Sequence, residues 1–401
     1  MHMTNAPMPS LLPVYKRAPV EFERGEGAYL FDRDGRRYLD FGTGIAVTLL
    51  GHSHPHLVAA LKEQGDKFWH CSNLYGVGPQ EKLADRLVAH SFADTVFFCN
   101  SGAEALECAI KMTRSHFHHR GLPERHQIIT FEGAFHGRTM ATITAGGQAK
   151  YLEGFQPGLP GFVQVPLGDL DAVRSAIGDQ SAALLIEPIQ AEGGIRQPKN
   201  AFLEGLRQIC DENDLLLIFD EVQTGMGRSG KLFAYEWIGI APDIMTLAKG
   251  LGGGFPIGAC LATARAASGM MPGTHGSTFG GNPLGCAVAN AVLDVLLGDD
   301  FLDHTREVAD YLRAQLDQLV ARYPGMFTEV RGEGLLLGLQ CVPTNTDIVA
   351  QLIARGLLTV PAAENVVRLL PPLIIERAEV DTAVTILDDL CRASSAKEAA
   401  R

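Results

Sequence analysis

The sequence predicts an α/β protein: a mostly parallel central sheet with helices on both faces, joined to a smaller α+β domain. Three observations carry this prediction. Through the middle of the chain, short apolar runs alternate with helical stretches, the pattern of strands covered on both faces. From about residue 297 the alternation gives way to a long amphipathic segment and a few short strands. Finally, 401 residues with 46 % apolar and 20 % charged side chains suffice for one large core and a second, smaller one.

Residues 1–55 hold "AYLFDRDGRRYLDF" (28–41), which predicts a hairpin, and are assigned to the smaller domain as its N-terminal segment. Residues 56–296 are assigned to the large, ligand-binding domain. Its strands are expected at "TVFFC" (95–99), "QIITF" (127–131), "AALLIE" (182–187), "LLLIFD" (215–220), "DIMTLAK" (243–249) and "IGACLA" (257–262), with helices at 102–118 and 201–213. Residues 297–401 complete the small domain. "FLDHTREVADYLRAQLDQLVARY" predicts a helix, whereas "FTEVRGEGLLLGLQCV", "GLLTV" and "VVRLL" predict strands. A last helix is expected over roughly 378–392, with Val380, Ala383, Ile386, Leu387 and Leu390 at helical spacing.

Acidic residues number 46 against 34 basic ones, a formal charge of −12, which argues against nucleic acid or an anionic membrane as the main partner. No apolar run reaches 18 residues, so no membrane span is expected. The opening "MHMTNAPMPSLLPVY" has neither a basic n-region nor an apolar h-region, so no secretory signal is expected. Eight scattered cysteines without a CxxC read as reduced thiols of a cytoplasmic protein.

In parallel sheets, ligands bind beyond the carboxyl ends of the strands. Five loops there carry candidate chemistry. In "CNSGAEALECAI", Ser101 caps a helix with Glu104 three residues on, which fits a capping box, and Gly102 admits close backbone approach. Free amides at such a helix start suit a phosphate, although most such turns are only caps. In "FEGAFHGRT", Phe135 offers a stacking face and Arg138 a grip on a carboxylate; alone, it reads as a surface arginine. In "IEPIQAEGG", Glu187 ends a strand and Glu192 lies in a glycine-containing loop, where exposed carboxylates are usually just solvated. Asp220 ends the most apolar strand, where a carboxylate is costly unless paired, and Gln223 follows it closely.

The fifth loop, "TLAKGLGGGFPIGA", delivers Lys249 into a glycine-rich segment. Three roles fit: an ion pair with Asp220, a phosphate contact, or a Schiff base. A P-loop is excluded, because its glycines precede the lysine. Taken together, a phosphate cradle, an aromatic face, a buried Asp and a strand-end Lys are what pyridoxal phosphate requires. The glycines are expected to let the backbone approach that cofactor.

"NSGAEA", "FHGRT", "EPIQAEGG", "FDEVQTGMGRSG", "AKGLGGGFPIGA" and "HGSTFGGNPLGCA" together resemble the class III, ornithine/acetylornithine-type pyridoxal-phosphate aminotransferases. The resemblance runs from "DFGTGIAVTLLGHSHP" to "VVRLLPPLII". It implies fold type I and a homodimer with shared active sites. Lys249 becomes the Schiff-base lysine and proton shuttle. Asp220 partners the pyridine nitrogen, Gln223 the ring hydroxyl, and Phe135 and Val222 the two ring faces. Ser101, Gly102 and Ala103 hold the phosphate, joined by Thr278 of the neighbouring subunit.

The resemblance also assigns substrate contacts, with Ser277 among them. Arg138 takes the amino donor's α-carboxylate and Arg368 that of glutamate or 2-oxoglutarate. Glu192 neutralises Arg368 while the ω-amine donor is bound. An aromatic hydroxyl at the position of Ile45 serves the free α-ammonium of ornithine in ornithine-type enzymes. Apolar Ile45 offers none, so an Nα-acylated donor, N-acetylornithine, is expected. Ala103 and Ala191 depart from the common Thr and Gly. Succinylornithine, ornithine and 4-aminobutyrate remain alternative donors. An aminomutase or a non-catalytic binding protein would be a different class.

No metal is expected. "GHSHPH" alternates His52, His54 and His56, but Pro55 marks a helix start and no cysteine or carboxylate pattern accompanies them. "RSHFHHRG" reads as the wet end of a helix. "GEGLLLG" (332–338) mimics a dinucleotide loop, but a strand follows where a helix is needed.

Overall fold

A computed structural model describes residues 9–399. Residues 1–8, the first part of the stretch read for a secretory signal, lie outside the described residues. The centre is a seven-stranded sheet in the order Thr95–Cys99, Gly258–Ala262, Ile244–Leu247, Leu216–Asp220, Ser181–Ile186, Gln127–Phe131, Phe162–Val165. Gly258–Ala262 runs antiparallel to both neighbours, and the remaining pairings are parallel. Fold type I is therefore the architecture, with a mixed but mainly parallel sheet.

Alternate residues of each strand serve opposite faces. Leu216 and Ile218 pack with Leu106, Ile110 and Phe117 of the helix Gly102–His119. Leu217 and Phe219 pack with Phe202, Leu206 and Ile209 of the helix Asn200–Glu212. Each face is thereby sealed by a helix, which is why the strand sequences lack a polar side.

The seventh strand, Phe162–Val165, was not among the predicted runs. It lies at the sheet edge, is only partly buried and carries Gln164 between Pro160 and Pro166, so it lacks the apolar signature of the central strands.

The predicted hairpin forms from Tyr29–Asp32 and Arg37–Asp40, beside Phe22–Glu26. Leu357–Leu358 adds to it in parallel, so the start and end of the chain share one sheet. A third sheet contains Phe327–Glu333, Leu336–Cys341, Val366–Leu369 and Val360–Ala362 in that order. The helix Phe301–Arg322 matches its prediction. The last helix, Arg377–Ala399, runs past the expected 392, because Ala, Ser, Lys and Glu sustain helix after the apolar spacing ends. No described helix is long and apolar enough to cross a membrane. Pro55 opens the helix Pro55–Gly65, and His52 is bonded to Asp40 at 2.8 Å.

Candidate active site

The parallel strands all discharge at one edge, where a cleft of about 430 Å³ opens. Asp220 ends its strand there, almost fully buried. Its Oδ2 is 2.8 Å from His136 Nδ1, and its Oδ1 accepts from Val222 N at 3.1 Å and Thr246 Oγ1 at 3.3 Å. Three partners thus fix the carboxylate's orientation. His136 Nε2 is buried without a partner.

Glu187, at its strand end, corrects the solvated reading: it is only 4 % exposed. Its Oε1 accepts from Phe135 N at 2.8 Å, holding the aromatic residue against the cleft. Burial, reinforced by repulsion from Asp220, pushes its carboxyl well above the usual range.

Lys249 follows the strand Ile244–Leu247 and opens a short 3-10 turn with φ 42°. A left-handed lysine at the cleft is an unusual backbone state, of the kind that gathers at functional sites. Burial lowers its amine to about 8, with Arg368 adding repulsion, while Glu192, Asp220 and Glu187 pull the other way. The glycines after it were expected to face a cofactor. Only Gly254 lines the cleft. A Cβ on Gly252 would meet Ile257 at 2.8 Å, and one on Gly253 would meet Leu57 at 2.7 Å, so these glycines serve the packing of the turn.

Also lining the cleft, Ser101 caps the helix Gly102–His119, its hydroxyl accepting from Glu104 N. The expected capping box is displaced by one residue: Glu104 Oε2 accepts from Asn100 N at 2.5 Å, not from Ser101 N. That leaves the first helical amides for another acceptor. Gly102 is required, because a Cβ would lie 2.8 Å from Val222 Cγ1.

Two arginines differ sharply. Arg368, in the strand Val366–Leu369, is 1 % exposed. Glu192 grips it through both oxygens, at 2.5 and 2.9 Å, and Gln223 Oε1 accepts from it at 3.0 Å. Arg138 is exposed on the cleft wall, with its guanidinium 4.0 Å over the Tyr151 ring.

The aminotransferase class-III family profile matches residues 13–391. This chain is a class-III aminotransferase. It is 59 % identical to the acetylornithine aminotransferase of Agrobacterium fabrum over 97 % of this chain and 98 % of that protein. The crystal structure of N-acetylornithine aminotransferase from Stenotrophomonas maltophilia K279a superposes with a TM-score of 0.83 at 40 % identity, covering 96 % of this chain and 98 % of that one. An ornithine aminotransferase structure from Toxoplasma gondii, described with partial occupancy of PLP at its active site, superposes at 0.91 with 33 % identity over 96 % and 93 %.

The class-III aminotransferase cofactor, pyridoxal phosphate, fits the residues present. The cleft offers a capped helix start, a position where only Gly102 clears Val222, an oriented buried carboxylate and a lysine with a lowered amine. Ser101, Gly102, Ala103, Phe135, Asp220, Val222, Gln223 and Lys249 all line it, as does Arg138. Ile45, Glu192, Ser277, Thr278 and Arg368 do not, although Arg368 touches the cleft residue Gln223. Ile45 is 42 % exposed within a left-handed turn, Thr43–Ala46, tied down by Asp40 Oδ1 and by the Thr43 hydroxyl on Leu370 O. The Ser277 hydroxyl accepts from Gly280 N and Asn100 Nδ2, outside this chain's cleft. Ala191 is fully buried with Ile195 and Leu336.

Sequence reasoning gave no role to His136 or Glu187. Glu187 was legible by the argument used for Asp220, since it too ends a strand buried at every position. His136 has no such signal; its partner is 84 positions away.

Proposed function

We propose that this enzyme moves the δ-amino group of N2-acetylornithine to 2-oxoglutarate, giving N-acetylglutamate 5-semialdehyde and glutamate in cytoplasmic arginine biosynthesis. The unequal state of the two arginines carries the reading. Arg138 has no carboxylate partner among the described residues, whereas Arg368 is neutralised by Glu192. A donor with one free carboxylate is taken by Arg138. Its uncharged middle lies against a neutral pair, and its far amine reaches Lys249. A diacid acceptor needs a second cation, so Glu192 must release Arg368. Ile45 supplies no acceptor for a free α-ammonium, which favours an acylated nitrogen. The name of the Agrobacterium relative supports the same donor.

Bound pyridoxal phosphate supplies an aldehyde that condenses with amines and a ring that accepts electron density from the adjoining carbon. Asp220, oriented by His136 and Thr246, would keep the ring nitrogen protonated. Phe135 and Val222 would cover the ring, Gln223 would serve its hydroxyl, and Ser101, Gly102 and Ala103 would hold the phosphate. Lys249, with its amine near 8, is available as a neutral base and shuttles the proton from the donor's δ-carbon.

A homodimer completes this site. Trp69, Leu74, Tyr75 and Phe279 are exposed, with Leu74 at 85 %. Asn73 ties their two loops together by donating to Ser277 O at 3.0 Å and Gly280 O at 2.9 Å. Such a surface suits a second copy, which would bring Thr278 and Ser277 to the neighbour's cleft.

Steady-state comparison of N-acetylornithine, succinylornithine, ornithine and 4-aminobutyrate tests the donor. N-acetylornithine should exceed ornithine in kcat/KM by about tenfold or more, the cost of about 1.4 kcal/mol for an unpartnered polar group. A preference for ornithine would overturn it.

A further inference from the structure

A second groove, of about 870 Å³, shares no lining residue with the cofactor cleft. It lies between the start of the helix Asn200–Glu212 and the strand Phe327–Glu333. Arg196, Lys199, Arg313 and Arg331 line it against Glu329 and Glu364. Cations are in excess here, on a chain whose formal charge is −12. A concave site of one sign raises the local concentration of opposite charge. Its size suits a small molecule.

The cations are unequally used. Arg331 is held by Glu329 and Glu364, each at 2.6 Å. Arg196 reaches Glu364 only at 3.5 Å. Arg313 donates to the carbonyls of Val330 and Gly332, with no carboxylate partner among the described residues. Lys199, exposed, makes no side-chain cap for the helix it precedes. Guanidinium forks and an unpaired ammonium recognise carboxylates.

The groove also touches the loop that carries Glu192. Arg331 Nη1 donates to Gly194 O at 3.0 Å, and Ala363 N donates to Glu192 O at 3.0 Å. A Cβ on Gly194 would lie 2.8 Å from Ala363 O, so the two loops meet backbone to backbone. Both are strained: Ile195, Glu364 and Asn365 have φ of 52°, 53° and 56°. For a β-branched residue such a φ is a genuine outlier, held only by its surroundings.

We propose that this groove binds a small di- or tricarboxylate, and that its occupant loosens the Glu192–Arg368 pair. A bound carboxylate competes with Glu364 for Arg331 and Arg196. Loss of those contacts frees the strained 363–365 and 192–196 segments that seat Glu192. Arg368 then becomes available to the acceptor more readily. The coupling rests on Glu192 acting as counter-ion to Arg368 in the proposed function; the binding does not.

Citrate is the probe, titrated calorimetrically into the holoenzyme at fixed ionic strength, with Lys199→Ala as the comparison. Citrate should bind the native enzyme and bind the variant about fivefold or more weakly, the loss of one charge-assisted contact. Basal kinetics of the variant should be unchanged. Citrate should also lower the KM for 2-oxoglutarate in the native enzyme relative to Lys199→Ala. Direct competition at Arg368 acts equally on both proteins and cancels in that comparison. Identical citrate binding by the two proteins would overturn the site. Lys199-dependent binding with an unchanged KM ratio would overturn the coupling. An enzyme that does not use 2-oxoglutarate would refute the substrate reading, while the calorimetry would still decide the binding.

Discussion

Arg368 and Arg138 are the same residue in opposite conditions. Arg368 emerges from a strand into the protein interior, where an unpaired guanidinium is costly, and Glu192, Gln223 and Pro361 O surround it. Arg138 leaves a strand end into a loop and lies over Tyr151, exposed. The first is a cation that must be uncovered before it can bind an anion. The second is ready. In the proposed function, the exposed cation takes a monoacid amine and the covered one takes a diacid once Glu192 releases it.

Arg368→Ala should separate the two most widely. Loss of a buried, bonded cation costs about 2–5 kcal/mol, so kcat/KM for 2-oxoglutarate should fall about 30- to 4,000-fold. The donor half-reaction, followed by stopped flow, should change far less. Equal losses in both halves would break the distinction. Arg138→Ala should do the reverse, reducing the donor step about 10–100-fold through one charge-assisted pair. Its melting temperature should hardly move, because the side chain is exposed.

The next effect concerns Lys249. Burial holds Lys249 near 8 instead of 10.5. Uptake of pyridoxal phosphate by the apo chain should therefore fall about tenfold per pH unit below that value and level off above it. Levelling only near the ordinary lysine value would contradict the burial. The unfolded chain holds a proton between these two values that the folded chain lacks. Apo stability, read from denaturant midpoints, should accordingly rise with pH across that window. The smallest effect is Ile45→Tyr, which should raise kcat/KM for free ornithine about fivefold by adding one hydrogen bond.

Much of this was legible in the sequence, for physical reasons. Central strands buried on both faces must be apolar throughout, so Leu216–Asp220 and Ser181–Ile186 announced themselves. A carboxylate or an amine at the end of such a strand is expensive, which made Asp220 and Lys249 conspicuous. The edge strand Phe162–Val165 pays no such burial and left no pattern. The glycines of 250–254 were visible, but their reason was not, because it lies in Leu57 and Ile257 packing from elsewhere. His136 and Glu187 act through partners 84 and 52 positions away, which only folding brings together.

The central claim is that one lysine and two unequal arginines run two half-reactions on one cofactor. The visible absorption of the holoenzyme, recorded before and after adding N-acetylornithine without acceptor, tests it most directly. The yellow band should bleach with the donor and return on adding 2-oxoglutarate. A band that N-acetylornithine leaves unchanged, while free ornithine bleaches it, would contradict the account of the donor site.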